Sequence, residues 1–495
     1  MKRGSGIIMH IASLPGKYGI GTFGKEAYEF ADFLKKSGQK NWQILPLGQT
    51  SYGDSPYQSF SAFAGNPYFI DFDILEKDGL LNKNDYNQIN FGDNPEVIDY
   101  GLLFTAKMKV LRLAYENSKK NKPDNFGTFK KIEAPWLDDY ALFMATKTNF
   151  NLKSSQTWDD DIRLRKEKTL GAHKDKLTDE IEYWKFLQYE FFKQWKKLKD
   201  YVNKLDIKII GDIPIYVAED SSDLWNNPKI FLLDQKTLKP IKIAGCPPDT
   251  FSETGQLWGN PIYNWDYLEQ TGYKWWIDRI RQSLKLYDVL RMDHFRGFEA
   301  YWAIPYGDKT AENGEWIRGP EMKLFNAIKE KFGDINIIAE DLGLLTEDTI
   351  SFREKTGFPG MKVLAFAFSG ESKNAYLPHN YEKNCVAYTG THDNDTARGW
   401  IETTGSTAEV KNAIEYLRLT EDEGYNWGLI RGIWRSVANT SIALMQDFLN
   451  LGSEARINVP STMQNNWCWR AKDGVFTNEL AEKIYRLTKI FRRCE

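Results

Sequence analysis

The chain has little excess charge, few cysteines and no long apolar run, and each shortage excludes a class of protein. Its 65 Lys and Arg against 68 Asp and Glu leave a net charge of −3, so neither nucleic acid nor an anionic membrane surface is indicated as a partner. The chain has no run of about 18 apolar residues, so we expect no membrane span. The apolar segment 7–11 is too short for a signal-peptide core and is broken by His10. The four cysteines are scattered without metal-ligand spacing, so we expect a cytoplasmic protein with reduced thiols and no bound metal.

The chain is long enough for a substantial core, and it is rich in aromatic residues. It has 495 residues, of which 42% are hydrophobic and 14% aromatic. Length alone suggests about three domains, but one α/β barrel of about 250 residues can also carry large insertions. We expect most of the tryptophans and tyrosines in the core. The alternative is sugar stacking, because the apolar faces of pyranose rings lie flat on indole and phenol rings.

Short apolar runs recur along the chain, each followed by a polar or small-residue loop, which is the pattern of buried strands. Amphipathic helical patterns lie between them, most clearly at 179–205 and 24–37, and each of these two leads into the next strand. Strand and helix in alternation predict an α/β fold with a parallel sheet. The predicted strands lie at 7–11, 42–47, 207–212, 289–296, 337–341, 361–368, 386–393 and 454–459.

Two stretches between predicted strands are longer than a crossover connection requires. About 160 residues separate the second and third strands, whereas one crossover needs only a dozen or so. We therefore expect an inserted, mainly helical subdomain at 65–178. A second insertion, at 219–273, is expected to form a loop subdomain that covers the substrate. The whole chain, 1–495, is then a single catalytic unit with two insertions.

Three of the predicted strands end in acids. Side chains of a strand alternate between its faces, so Arg291 and Asp293 should project from the same face. A guanidinium beside a carboxylate favours the ionised form, which suits a nucleophile. Glu340 and Asp393 end two further strands. Retaining glycosidic chemistry needs two carboxyl groups about 5–5.5 Å apart in opposite protonation states.

These acids predict a division of roles at a sugar's anomeric carbon. Asp293 is the expected nucleophile. Glu340 is the expected general acid, with its pKa raised by the like charges of Asp293 and Asp393 in a partly dry pocket. Asp393 is expected to bind sugar hydroxyls and to stabilise an oxocarbenium-like transition state. The alternative for any single acid is a salt-bridged strand end, but three such acids together with Arg291 favour catalysis.

Other polar residues accompany the three acids. His294 directly follows Asp293, and His392 directly precedes Asp393. Each imidazole is either a hydrogen-bond donor to ring hydroxyls or a structural side chain. Asp212 also ends a predicted strand, and it is equally well a site residue or a structural one.

Two loops that contain glycine and proline are predicted to form the sugar platform. The first, 53–59, carries Ser55 and Tyr57, and the Tyr57 ring is expected to stack on the transferred sugar. The second, 245–261, is expected to cover the cleft, and the alternative is an ordinary packed surface loop. Its candidate substrate-binding residues are Asp249, Phe251, Gln256 and Trp258.

Together these motifs resemble those of the 4-α-glucanotransferases of the α-amylase clan, the amylomaltases or disproportionating enzymes of glycoside hydrolase family 77. The resemblance runs nearly end to end. Each motif is moderately specific, and their common order is highly specific. The motifs lie at 13–15, 55–59, 211–217, 247–261, 291–294, 339–343 and 391–395.

The resemblance implies a cytosolic (β/α)8 enzyme, that is, a TIM barrel. Such an enzyme moves α-1,4-linked glucan segments from one maltodextrin to the free 4-hydroxyl of another, without an organic cofactor or catalytic metal. It implies the same roles for Asp293, Glu340 and Asp393. Asp395 is close by but is not the implied catalytic acid, because the family pattern places that acid directly after His392.

Some relatives have a second, remote glucan site built on tyrosines, for which Tyr52 and Tyr100 are the candidate matches. One departure separates the chain from true α-amylases. Their third-strand motif ends in Asn-His, whereas here Asp212 is followed by Ile213 and Pro214.

Two other functions stay open at this level. An α-glucan hydrolase would use the same acids and differ only in that water attacks the intermediate. An aromatic lid that excludes water favours the sugar acceptor. A non-catalytic glucan-binding protein on a barrel scaffold would have no need of three convergent acids.

Overall fold

The computed structural model describes residues 2–51, 53–248, 252–343 and 345–495. Within them, eight parallel strands form one sheet in the order β6-β7-β8-β1-β2-β3-β4-β5. The strands are β1 (Gly4–Ile8), β2 (Asn41–Gln43), β3 (Lys208–Ile213), β4 (Val289–Met292), β5 (Ile337–Ala339), β6 (Gly360–Val363), β7 (Cys385–Tyr388) and β8 (Thr440–Leu444).

The two end strands of this sheet meet and nearly close a barrel. The Ala339 amide of β5 donates to the Pro359 carbonyl, which directly precedes β6, at 2.9 Å. The barrel interior is filled by apolar side chains from every part of the ring, such as Ile8, Ile210 and Ile442, all fully buried. The predicted (β/α)8 barrel is therefore confirmed.

The α-helices pack around the barrel or lie in the connections between its strands. Most barrel strands are followed by a helix, but the β6–β7 connection, all of whose residues are described, forms only the 3-10 turns Leu364–Phe366 and Pro378–Asn380. The helices are Lys25–Lys36, Phe72–Lys77, Tyr100–Ser118, Phe126–Asn149, Asp160–Arg163, Glu167–Lys176, Thr178–Lys204, Ser222–Asn226, Trp265–Gln270, Lys274–Leu286, Met322–Phe332, Glu347–Thr356, Ala397–Gly399, Thr407–Leu417, Tyr425–Trp434, Met445–Phe448 and Asn478–Ile490. In the part of the chain that the structure describes, none of these helices has the length and apolar character needed to cross a membrane.

The prediction for the eighth strand is wrong. The segment predicted at 454–459 forms a 3-10 turn, Ser453–Ala455, and an extended loop. The eighth strand is β8, whose five residues are all buried between β7 and β1. Its sequence runs directly into the helix Met445–Phe448, so no turn residue marks its end, and five residues are too few to show a clear period.

A second, antiparallel sheet of four strands follows β3 and β4 in the chain. Two of its strands, Lys242–Cys246 and Gln256–Pro261, lie in the expected second insertion. The other two, Ala300–Pro305 and Glu315–Arg318, come from the β4–β5 connection and were not predicted. The chain between β2 and β3 contains the helices from Phe72–Lys77 to Thr178–Lys204. The division of these connections into subdomains stays a prediction.

The C-terminal end of the chain stabilises the end of the barrel opposite the acids. The Arg493 side chain is fully buried and donates to the carbonyls of Trp434 (2.7 Å), Gly4 (3.0 Å) and Ala438 (3.1 Å). These carbonyls precede or begin β8 and β1. The Arg3 side chain donates to two of the same carbonyls, Ala438 at 3.3 Å and Trp434 at 3.5 Å, so two arginines together satisfy these backbone acceptors.

Candidate active site

The three predicted acids lie in loops at the carboxyl-terminal end of the barrel. Asp293 directly follows β4, Glu340 directly follows β5, and Asp393 lies in the loop after β7. Backbone hydrogen bonds hold the first two in register, because the Asp293 amide donates to the Ile213 carbonyl and the Glu340 amide donates to the Met292 carbonyl, both at 3.0 Å. Barrel enzymes carry their catalytic groups at this end.

The Glu340 carboxylate lies against the peptide unit that follows Asp293. The His294 amide donates to Glu340 Oε2 at 2.7 Å, and the Leu342 amide donates to Oε1 at 3.0 Å. His294 adopts a left-handed backbone conformation with φ of 48°, which is uncommon for a residue with a side chain. The turn thus directs an amide at Glu340 and brings the two acids to adjacent positions.

The Arg291 guanidinium forms ion pairs with two carboxylates, those of Asp293 and Asp212. Its Nη1 atom lies 2.9 Å from Asp293 Oδ1 and 2.5 Å from Asp212 Oδ2. The Tyr57 hydroxyl donates to the same Asp212 oxygen at 2.8 Å. Arg291 is 3% exposed and Asp212 not at all, so this ion pair is shielded from water. Burial raises the pKa of Asp212, and the Arg291 charge acts against that rise.

Glu340 has the properties of a general acid at neutral pH. Burial is the largest cause that raises its pKa to about 7, and the Asp293 charge adds to it. The Arg291 charge and the two backbone amides act in the opposite direction. Loss of contact with water therefore raises this pKa more than the like charges that were expected to dominate.

Asp393 is held in its charged form by direct partners. His392 Nε2 lies 3.2 Å from Asp393 Oδ2, and the Asn458 side-chain amide donates to Oδ1 at 2.6 Å. Burial works against ionisation, but these two contacts and the charge of His392 lower the pKa of Asp393 to about 2. The same contact raises the pKa of His392 although burial lowers it.

Aromatic rings surround the acids. Tyr57 stacks on His392, with ring centroids 5.2 Å apart and an interplanar angle of 19°, and Trp467 packs against both rings. Tyr100 contacts Trp467, because its hydroxyl donates to the Trp467 carbonyl at 3.0 Å. Tyr100 therefore adjoins the active site, and its assignment to a remote glucan site stays a prediction.

The connection after β3 supplies a further aromatic ring, Trp258, from the strand Gln256–Pro261. The Trp258 ring meets the His294 imidazole edge-on at 4.8 Å, and its Nε1 donates to Gln256 Oε1 at 3.0 Å. Burial lowers the pKa of His294 to about 4, so this imidazole is neutral at pH 7. Ser55 has a local structural contact, since its hydroxyl accepts the Tyr57 amide at 3.3 Å.

Three predicted site residues cannot be placed. Tyr52, Asp249 and Phe251 lie outside the described residues. Among the residues that are described, no group of three or more His, Cys, Asp and Glu side chains is arranged to hold a metal ion.

Three residues of the site were missed by the sequence analysis. Asn458 and Arg456 contact Asp393, and Trp467 contacts His392. Arg456 and Asn458 were missed because 454–459 is predicted as a strand, whereas it forms a 3-10 turn and a loop, and Trp467 follows that loop. A tryptophan within the polar run 464–468 was the available signal.

Eight parallel strands with convergent acids at their carboxyl ends define a TIM-barrel enzyme. The model of the 4-alpha-glucanotransferase family matches residues 9–477. A 4-alpha-glucanotransferase of Clostridium butyricum is 70% identical over 98% of this chain and its own full length. One of Streptococcus pneumoniae is 49% identical over 99% of this chain and 98% of its own.

Solved structures give the same result. The amylomaltase of Streptococcus agalactiae in complex with acarbose is 46% identical and superposes with a TM-score of 0.96, covering 99% of this chain and all of that one. An amylomaltase of Corynebacterium glutamicum, at 19% identity and a TM-score of 0.79 over 100% of this chain and 75% of that one, shares the fold. The chain belongs to the 4-alpha-glucanotransferase family, and its activity is that of a glycosyltransferase.

Proposed function

We propose that this chain transfers α-1,4-glucan segments between maltooligosaccharides through a covalent glycosyl-Asp293 intermediate. In the first step Asp293 attacks the anomeric carbon of the donor, while Glu340 protonates the departing 4-oxygen. In the second step the carboxylate of Glu340 takes the proton from the 4-hydroxyl of an acceptor, which displaces Asp293. The anomeric configuration is inverted twice and therefore retained.

One observation carries this proposal above the others. The His294 amide that binds Glu340 belongs to the peptide unit directly after Asp293. The two acids are therefore close neighbours, and burial raises the pKa of Glu340 to about 7 while the Arg291 guanidinium pairs with Asp293. Double displacement needs such a pair at a separation of about 5–5.5 Å.

The other residues of the site suit a sugar in the same space. We propose that Asp393, held by His392 and Asn458, stabilises the positive charge of the transition state, since its low pKa keeps it charged under all working conditions. We assign the neutral His294 and the Trp258 ring, which contact each other, to the acceptor side, and we propose that the segment 219–273, which carries Trp258, covers the cleft. A bound sugar there would exclude the water that a hydrolase needs.

Incubation with maltotriose tests the proposal. A transferase forms glucose together with maltopentaose and longer products, and no new reducing ends. Products no longer than the substrate would show an α-glucan hydrolase instead.

Glu340→Gln should lower turnover on maltotriose by several orders of magnitude and leave maltooligosaccharide binding intact, because only the transition state needs the proton. Near-normal turnover by this variant would remove Glu340 from the mechanism.

A further inference from the structure

The loop after β8 contacts the third acid with residues on both sides of a buried anchor. Ile457 is 5% exposed and packs into the apolar cluster inside the barrel. The residues before and after it, Arg456 and Asn458, both reach Asp393 in the loop after β7. The anchor therefore fixes where the two polar residues can lie.

Arg456, Asn458 and Asp393 form a closed ring of hydrogen bonds. Arg456 Nη2 donates to the Asp393 carbonyl at 2.6 Å, and Arg456 Nε donates to the Asn458 carbonyl at 2.8 Å. The Asn458 side chain completes the ring by donating to Asp393 Oδ1 at 2.6 Å. The Arg456 guanidinium thus binds the backbones of Asp393 and Asn458, and the side chains of these two residues contact each other.

Further contacts tie the same two loops together. The Asn458 amide donates to the His392 carbonyl at 3.1 Å, and the Ser453 hydroxyl donates to Asp395 Oδ2 at 2.7 Å. Asp395, which lies two residues after the catalytic candidate, is therefore an anchor for the loop after β8. The position of Asp393 depends on a loop that is distant from it in sequence.

We propose that Arg456 is a positioning residue for glucan transfer, which acts by fixing Asn458 and through it the Asp393 carboxylate. The proposal rests on the role assigned above to Asp393. Without the guanidinium, the carbonyls of Asp393 and Asn458 lose their donor. The side-chain amide of Asn458 is then free to turn away from Asp393. The carboxylate then samples several positions, and the stabilisation lost belongs to the transition state. The turnover number should fall, and KM should change little.

The shape of the arginine side chain is essential to this role. Its planar group carries donors at fixed positions, so Nε and Nη2 can serve two carbonyls at once. A lysine has a single nitrogen on a flexible stem and can replace only part of that geometry. The matched control is Arg398, which is 46% exposed in the neighbouring helix Ala397–Gly399 and pairs with Glu402 at 2.8 Å.

The test compares Arg456→Gln, Arg456→Lys and Arg398→Gln on maltotriose, with thermal unfolding measured for each. We expect Arg456→Gln to lower kcat about 10- to 100-fold, with KM within about twofold of the wild type, since small displacements of catalytic groups cost that much. Arg456→Lys should recover only part of the loss, and Arg398→Gln should behave as the wild type. Wild-type kcat in Arg456→Gln, or a rise in KM that accounts for its whole effect, would overturn the proposal.

A double-mutant cycle separates positioning from a general loss of stability. Asn458→Ala removes the side-chain amide that contacts Asp393 but leaves Arg456 its two carbonyl partners. If Arg456→Gln does not fold, this variant still tests whether the contact to Asp393 sets kcat. Because both residues act through one carboxylate, the double variant should lose little more kcat than Asn458→Ala alone. Losses that multiply would contradict the proposal.

Asp393→Asn distinguishes this proposal from the proposed function. If Asp393→Asn abolishes transfer while Arg456→Gln does not affect it, the positioning role fails and the mechanism stands. If Asp393→Asn transfers glucan normally, the role of Asp393 fails and the positioning role fails with it.

Discussion

Raising the pH above 7 should slow glucan transfer about tenfold for each pH unit, because the first step needs a proton on Glu340. Burial raises the pKa of Glu340 to about 7, with the Asp293 charge in support. Above this pH the protonated fraction falls tenfold per unit, so kcat/KM at pH 9 should be about 100-fold below its plateau. Asp393 has a pKa of about 2 and stays charged throughout, so it adds no step to this range.

The assay is the initial rate of glucose release from maltotriose between pH 5 and pH 9 at constant ionic strength. A maltosyl fluoride donor is the internal control, because fluoride departs without a proton. With this donor the formation of the intermediate should keep its rate above pH 7. If the maltotriose rate stays flat to pH 9, or if both donors lose rate in parallel, Glu340 is not the proton donor.

The same pKa has a consequence for stability. A carboxyl group whose pKa is raised on folding stabilises the folded state below its unfolded value of about 4.5, and this contribution is lost as the pH rises through about 7. The charged form of Glu340 then costs at most about 3 kcal/mol. Glu340→Gln should accordingly gain stability relative to the wild type between pH 5 and pH 8, as seen in the difference of their unfolding temperatures.

Two further substitutions test the neighbours of these acids. Arg291→Met should cost about 3–5 kcal/mol at pH 7, because it leaves the fully buried Asp212 without its cation. Adding Asp212→Asn should restore part of that loss in thermal unfolding, and a double variant no more stable than Arg291→Met would refute the explanation. Trp258→Ala removes the ring that contacts His294, so the KM for acceptor should rise up to about tenfold. New reducing ends should also increase, and an unchanged ratio of transfer to hydrolysis would count against the acceptor assignment.

Much of the barrel could be predicted because most of its strands have a local signal. The apolar runs that end at Arg291, Ala339 and Tyr388 have no polar interruption, and a strand buried on both faces requires that composition. The strand period of two also predicted that Arg291 and Asp293 share a face, and the 2.9 Å contact agrees with it. The eighth strand could not be found in this way, because a five-residue run that continues into a helix has no period of its own.

The sequence by itself determined which acids follow barrel strands, since residue order along a parallel strand dictates what its carboxyl end presents. Asp293 and Glu340 come directly after their strands, whereas Asp393, expected to end a strand, lies in the loop after β7, which ends at Tyr388. Only the tertiary structure decided how those acids are charged and held. The pKa of Glu340 depends on exclusion of water by the rest of the barrel, and the position of Asp393 depends on Arg456 and Asn458, more than 60 residues further along the chain. Burial and long-range hydrogen bonds are properties of the folded chain, and no local pattern of residues encodes them.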